Sequence, residues 1–182
     1  MQTFFSALVA SLTLGLCLGA CSPDQNWREV SLEGASLKVQ LPCKPDRTTR
    51  SVPLGGSPVD LQVVGCESGD AMVAVMSASL QPGADAHALL MGWQKATLDH
   101  AGVQQPLMAS QQETWHPPGF LPLASAVRIQ AQGRGGDGRA VFMSAAWGAV
   151  AEGERVRVVH AVVYGRRDTA ELASNLLDGI HP

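Results

Sequence analysis

Hydrophobic and polar positions divide the chain into two regimes. Over residues 4–18 no charge interrupts a run dominated by Leu8, Val9, Leu12, Leu14, Leu16 and Leu18. From Trp27 onward, apolar positions recur at short, regular periods. Residues 27–31 and 36–41 form two runs separated by Glu33-Gly34. In the second, Leu37, Val39 and Leu41 alternate with Lys38 and Gln40, the period of a half-buried strand, until Pro42 and Pro45 stop it. Residues 51–54 and 59–64 flank Gly55-Gly56-Ser57-Pro58 and predict a hairpin. Gly69-Asp70 then turns the chain into residues 71–80. Here Met72, Ala74, Met76 and Ala78 alternate with Val73, Val75, Ser77 and Ser79, so both faces are apolar or small and the strand belongs inside a sheet.

Residues 84–101 predict the one long helix, with Asp85 near its positive end and Gly102 just past its close. Ala86, Leu89, Leu90, Trp93, Ala96 and Thr97 share one face as a core stripe. Strands return at 106–114, 123–132, 139–150 and 155–164, with Gly133 to Gly138 as a hairpin turn and Glu152-Gly153 as another. Asp168-Thr169-Ala170-Glu171 has capping-box spacing ahead of a closing helix that carries Leu172, Leu176 and Ile180. The order implies an α+β domain: an antiparallel sheet of about six to eight strands, with one long and one C-terminal helix packed on one face.

Composition changes the picture at the N-terminus. The chain has 182 residues, 46% hydrophobic and 16% charged, and a net charge of −3. The leading apolar run is too short for a bilayer core of ~30 Å, but it fits a secretory leader. Leu18-Gly19-Ala20-Cys21 resembles the lipobox of bacterial lipoproteins. That resemblance implies a signal peptide over 1–20, a lipidated tether over 21–26 beginning at acylated Cys21, and a single domain over 27–182. Met1-Gln2-Thr3 departs from the pattern in carrying no Lys or Arg. Ser22, where an Asp would signal inner-membrane retention, implies an outer-membrane anchor facing the periplasm. Several acyl chains hold a protein durably at a bilayer.

Export also assigns the cysteines. Cys17 leaves with the leader and Cys21 is acylated, so Cys43 and Cys66 remain in an oxidising compartment where a pair usually bridges. If Leu54 pairs near Ser57, antiparallel register sets Cys66 opposite Pro45, two residues from Cys43. Such a bridge stabilises by ~3 kcal/mol in the chain-entropy model.

Three residue sets together resemble small proteobacterial lipoproteins of unassigned function. They are Leu18-Gly19-Ala20-Cys21-Ser22, then Leu37 through Pro45 ending Leu-Pro-Cys-Lys-Pro, then Glu154 through Val159 with Tyr164-Gly165 and a terminal helix. The second and third look like the opening and the close of the PsbP/MOG-like α+β fold. The resemblance implies that fold, an envelope location and a binding or assembly role. It brings no catalytic residues with it.

The remaining chemistry is sparse. A net charge of −3 without a basic cluster argues against nucleic-acid binding. No GxSxG marks a nucleophilic serine, no CxxC marks a redox or zinc site, and no two histidines stand four apart. The Gly133 to Gly138 run lies between strands, whereas phosphate loops lead into a helix. No cofactor and no metal are expected. His160, inside a Val-rich strand, reads as a hydrogen-bonded core or edge histidine; His87 and His100 read as surface. Two candidate surfaces remain. Arg155, Arg157, Arg166 and Arg167, with Arg134 and Arg139, could face anionic headgroups or an acidic partner, or could simply block strand-edge pairing. Trp115 and Phe120, on the loop framed by Pro117-Pro118, either form a binding surface or cap the end of the sheet. The expectation is a membrane-anchored, non-enzymatic accessory with an envelope protein partner. The alternative is a small hydrolase or ligand carrier with a pocket between sheet and helix.

Overall fold

In the computed structural model, which describes residues 25–54 and 56–182, the alternating runs become two antiparallel sheets. The expected leader, Cys21 and most of the tether lie outside the described residues, as does Gly55. β1 (Arg28–Ser31) and β2 (Lys38–Leu41) pair as a separate two-stranded hairpin. β3 (Asp46–Leu54), β4 (Ser57–Ser68) and β5 (Ala71–Ser79) follow as a meander. After helix α1 (Ala86–His100) come β6 (Gln112–Thr114), β7 (Val127–Arg134), β8 (Ala140–Glu152), β9 (Arg155–Gly165) and helix α2 (Ala170–Asp178). The seven-stranded sheet has the order β3-β4-β5-β9-β8-β7-β6 and every pairing is antiparallel. The fold is α+β, and β5 is an interior strand. Of the polar stretch 106–114, only the last three residues are strand.

One expectation is corrected: the helices lie on opposite faces. Val73, Val75, Val159, Ala161 and Val163 point into a core closed by α2 and the β1–β2 hairpin. Their neighbours Ala74, Ala78, Val158 and Val162 point into a second core closed by α1. A strand that is apolar on both sides has to be covered on both sides, since each exposed apolar face would cost ~25 cal/mol per Å². The N-terminal hairpin supplies much of the cover on the α2 side.

Local signals set the helix ends. The Asp85 carboxylate accepts from the backbone N–H of Ala88 at 3.0 Å, an N-cap bond. Gln94 and Leu98 join the buried stripe of α1, while Ala96 faces solvent, one position beyond the stripe's edge. The expected capping box of α2 does not form. Thr169 sits at the cap but its hydroxyl bonds Ser144 of β8 at 2.8 Å, and Asp168 accepts from the N–H of Ala170 instead. A buried tertiary hydrogen bond thus replaces a local one.

The β3–β4 hairpin has Leu54 opposite Ser57 and Asp46 opposite Gly65. Cys66 is the next residue, and Cys43 meets it in a disulfide with Cα atoms 6.0 Å apart.

Candidate functional site

The Trp115 to Phe120 loop packs onto the end of the sheet. The backbone N–H of Trp115 donates to Ala126, Phe120 bridges to Val150 of β8, and the two rings meet edge to face at 5.0 Å. Both side chains are buried, at 7% and 8% exposure, so the exposed-aromatic reading gives way to the capping one. Gly148 makes this possible: a Cβ there would lie 2.7 Å from the Phe120 ring and 2.9 Å from Trp115. Beyond the rings, the Pro117-Pro118 frame stands opposite the end of α2 and leaves a cleft of about 750 Å³.

Leu177, Ile180 and Pro182 form one wall of this cleft, and Trp115, Pro117 and Pro118 form the other. Gly119 closes the corner with φ +85°, where a Cβ would meet Pro182 at 2.5 Å; both the conformation and the contact require glycine. Charged groups stand at the rim. Glu113 of β6 pairs with Arg128 directly opposite on β7. The His116 ring shares a hydrogen bond with the Leu123 carbonyl at 3.1 Å, and His181 lies 3.9 Å from Glu29. A hydrogen bond from Lys38 holds the Glu29 carboxyl below its ordinary value. His181 is fixed by exchanging backbone bonds with Lys38, so the segment after α2 runs as an extra short strand beside β2. An apolar trough with both signs of charge at its edge suits an amphipathic ligand or an extended segment of a partner.

The predicted arginine patch separates into unconnected parts. Arg157 is buried at 4% exposure and clamps the N-terminal hairpin to the sheet. It donates to Glu152 at 2.6 Å, to the Gly34 carbonyl at 2.7 Å and to Ser77 at 3.3 Å. Arg155 is exposed at the start of β9, while Arg166 and Arg167 follow its end. Eleven strand residues, about 36 Å, lie between the two ends. Arg166 pairs with Asp137, and Arg167 with Asp70; each pairing lowers the carboxyl's pKa, for Asp137 after the larger effect of the Arg139 backbone N–H. Arg139 also lies beside Asp137, and Arg134 donates to the Gly138 carbonyl.

His160 lies in the α1-side core at 1% exposure. It stacks on Trp147 at 4.5 Å and 6°, meets Trp93 edge-on at 5.2 Å, and has the Ala146 carbonyl 3.1 Å from Nδ1. Burial pushes its pKa down to about 4, against the raising effect of that carbonyl. It does not line the cleft. His87 and His100 are on the surface. No group of three or more His, Cys, Asp or Glu among the described residues is placed to hold a metal ion, and no described helix is long and apolar enough to cross a membrane.

The sequence points to one wall of the cleft through its Pro-Pro motif and misses the other. Leu177, Ile180 and His181 lie some sixty residues further on, and their only signal is the apolar spacing that also fits a core. No protein family, characterised protein or solved structure matches the chain in comparison.

Proposed function

We propose that the chain is a periplasm-facing lipoprotein, anchored in the outer membrane through Cys21, whose domain serves as a non-catalytic binding or envelope-assembly accessory. The observation that carries this is the Cys43–Cys66 bridge, downstream of Leu18-Gly19-Ala20-Cys21. A disulfide persists in an oxidising compartment, where a lipobox leader would deliver the chain. A PsbP/MOG-like kinship would point to the same kind of role. The cleft between Trp115–Gly119 and the end of α2 is then the docking surface for an envelope protein partner. His160 is enclosed by two indoles and supplies no acid–base group to the cleft, since such a group has to reach its substrate.

A ligand carrier is the second reading, favoured by the position of the cleft between a sheet edge and a helix. Photo-crosslinking separates the two. With a benzophenone amino acid in place of His116 in the full-length chain, a discrete adduct with one envelope protein is expected in intact cells. A co-purifying small molecule without a protein adduct would overturn the accessory role in favour of the carrier.

A further inference from the structure

Resting on the lipoprotein reading, we propose that one end of the sheet lies against the phospholipid headgroups, with the cleft turned away from them. This end comprises the β4–β5 turn, the tip of the β7–β8 hairpin and the segment joining β9 to α2. The chain enters the domain at this end. Gln25 lines a depression together with Gly69, Asp70, Arg167 and Asp168, and the N–H of Asn26 donates to Pro42 at 2.6 Å, which pins the chain there. Four residue steps separate Cys21 from Gln25, a reach of at most ~14 Å when fully extended. β9 alone is about 36 Å long. A domain held so close by one end cannot turn its far end to the bilayer. Tether length, more than charge, selects the face.

The chemistry of that end fits a phosphate-bearing, zwitterionic surface. Arg167 stands 82% exposed beside Asp70, and Arg166 stands beside Asp137, so guanidinium and carboxylate alternate. Each arginine has donors for a lipid phosphate, and each aspartate can accept from a headgroup ammonium. Glu67 and Asp168 line the same depressions and Arg139 lies beside Asp137, adding both signs nearby. Met72, 47% exposed and sharing a depression with Tyr164 and Arg166, is the apolar element that would rest among the headgroups. The pairing predicts contact that does not need net basic charge. Gln25 and Glu171 mark the anchored end of α2 and Leu177 the cleft end, so the cleft opens to the periplasm one helix length, about 14 Å, further out.

The test uses the full-length protein, processed in cells and reconstituted into phosphatidylethanolamine vesicles with a minor fraction of phosphatidylglycerol. A fluorophore is placed at Gly136→Cys on the β7–β8 tip, where a side chain meets nothing within 4 Å, or at Glu154→Cys in the β8–β9 turn. A headgroup-attached quencher is expected to extinguish the Gly136 label and to spare the Glu154 label. A flexible insert of Gly and Ser after Ser22 is expected to abolish the difference. Co-flotation with equal quenching of the two labels, or with the reverse order, overturns the orientation and leaves the anchor standing. Failure to float with vesicles overturns the anchor and the orientation together.

Discussion

The two faces of the seven-stranded sheet are closed by different means. Under α1 the core is built from large rings and contains polar atoms: Trp93, Trp147 and His160 stack, Gln94 donates to the Ser125 carbonyl at 2.6 Å, and Trp147 Nε1 and Ser125 Oγ have no hydrogen-bond partner among the described residues. Under α2 the core is mainly aliphatic, from Leu37, Val39 and Leu41 to Leu176 and Ile180, and it is stapled. The disulfide, the Arg157 clamp and the Ser144–Thr169 bond all tie covering segments to the sheet on that side or at its edge. One face therefore depends on area and ring packing, at the cost of sequestered polar groups. The other depends on links between segments distant in sequence. Each face is therefore vulnerable in its own way: to acid and truncation at the first, to reduction at the second.

The largest effect is expected from emptying the ring cluster. Trp147→Ala should cost about 3–5 kcal/mol in denaturant unfolding, because the indole is fully buried between helix and sheet. Acid should reach the same face. His160 titrates near 6.5 in the unfolded chain and at about 4 in the fold. Between those values the unfolded state binds the extra proton, so stability is complete above pH 6.5 and falls as the pH drops towards 4, by about 3 kcal/mol in all. His160→Phe should remove that slope and leave the one from Glu29, Asp70 and Asp137, whose lowered carboxyls lose their contribution at more acidic pH. A variant with the wild-type slope would contradict the assignment.

Reduction sharpens the other half of the comparison. Opening Cys43–Cys66, or replacing both by Ala, should cost about 3 kcal/mol. Amide exchange should rise in β3 and the β1–β2 hairpin while α1 stays protected; loss spread evenly over both faces would erase the distinction. The smallest effect is local. Asp85→Ala should cost about 1 kcal/mol through the lost N-cap bond, read as fraying of the first turn of α1.

What the sequence made legible was local. The Gly55–Pro58 turn signal set the register that brought Cys66 within reach of Cys43, because a hairpin's pairing follows from its turn. Alternation in residues 71–80 marked an interior strand, and Asp85 with Gly102 bounded α1. The covering of two faces was not legible, since it depends on where β1–β2 and α2 return after long separations. Arginines that looked clustered over residues 155–167 were spread by strand geometry along about 36 Å. For Trp115 and Phe120 the deciding residue was Gly148, thirty positions away, whose missing side chain opens the space the rings fill.

Anchor, compartment and orientation all depend on the sulfur of Cys21. Intact mass measurement of the protein extracted with detergent from producing cells tests it directly. The expected species is a polypeptide beginning at Cys21 and carrying the mass of a diacylglyceryl group plus an N-linked acyl chain. A chain that keeps residues 1–20, or one cut there with an unmodified thiol, would contradict it.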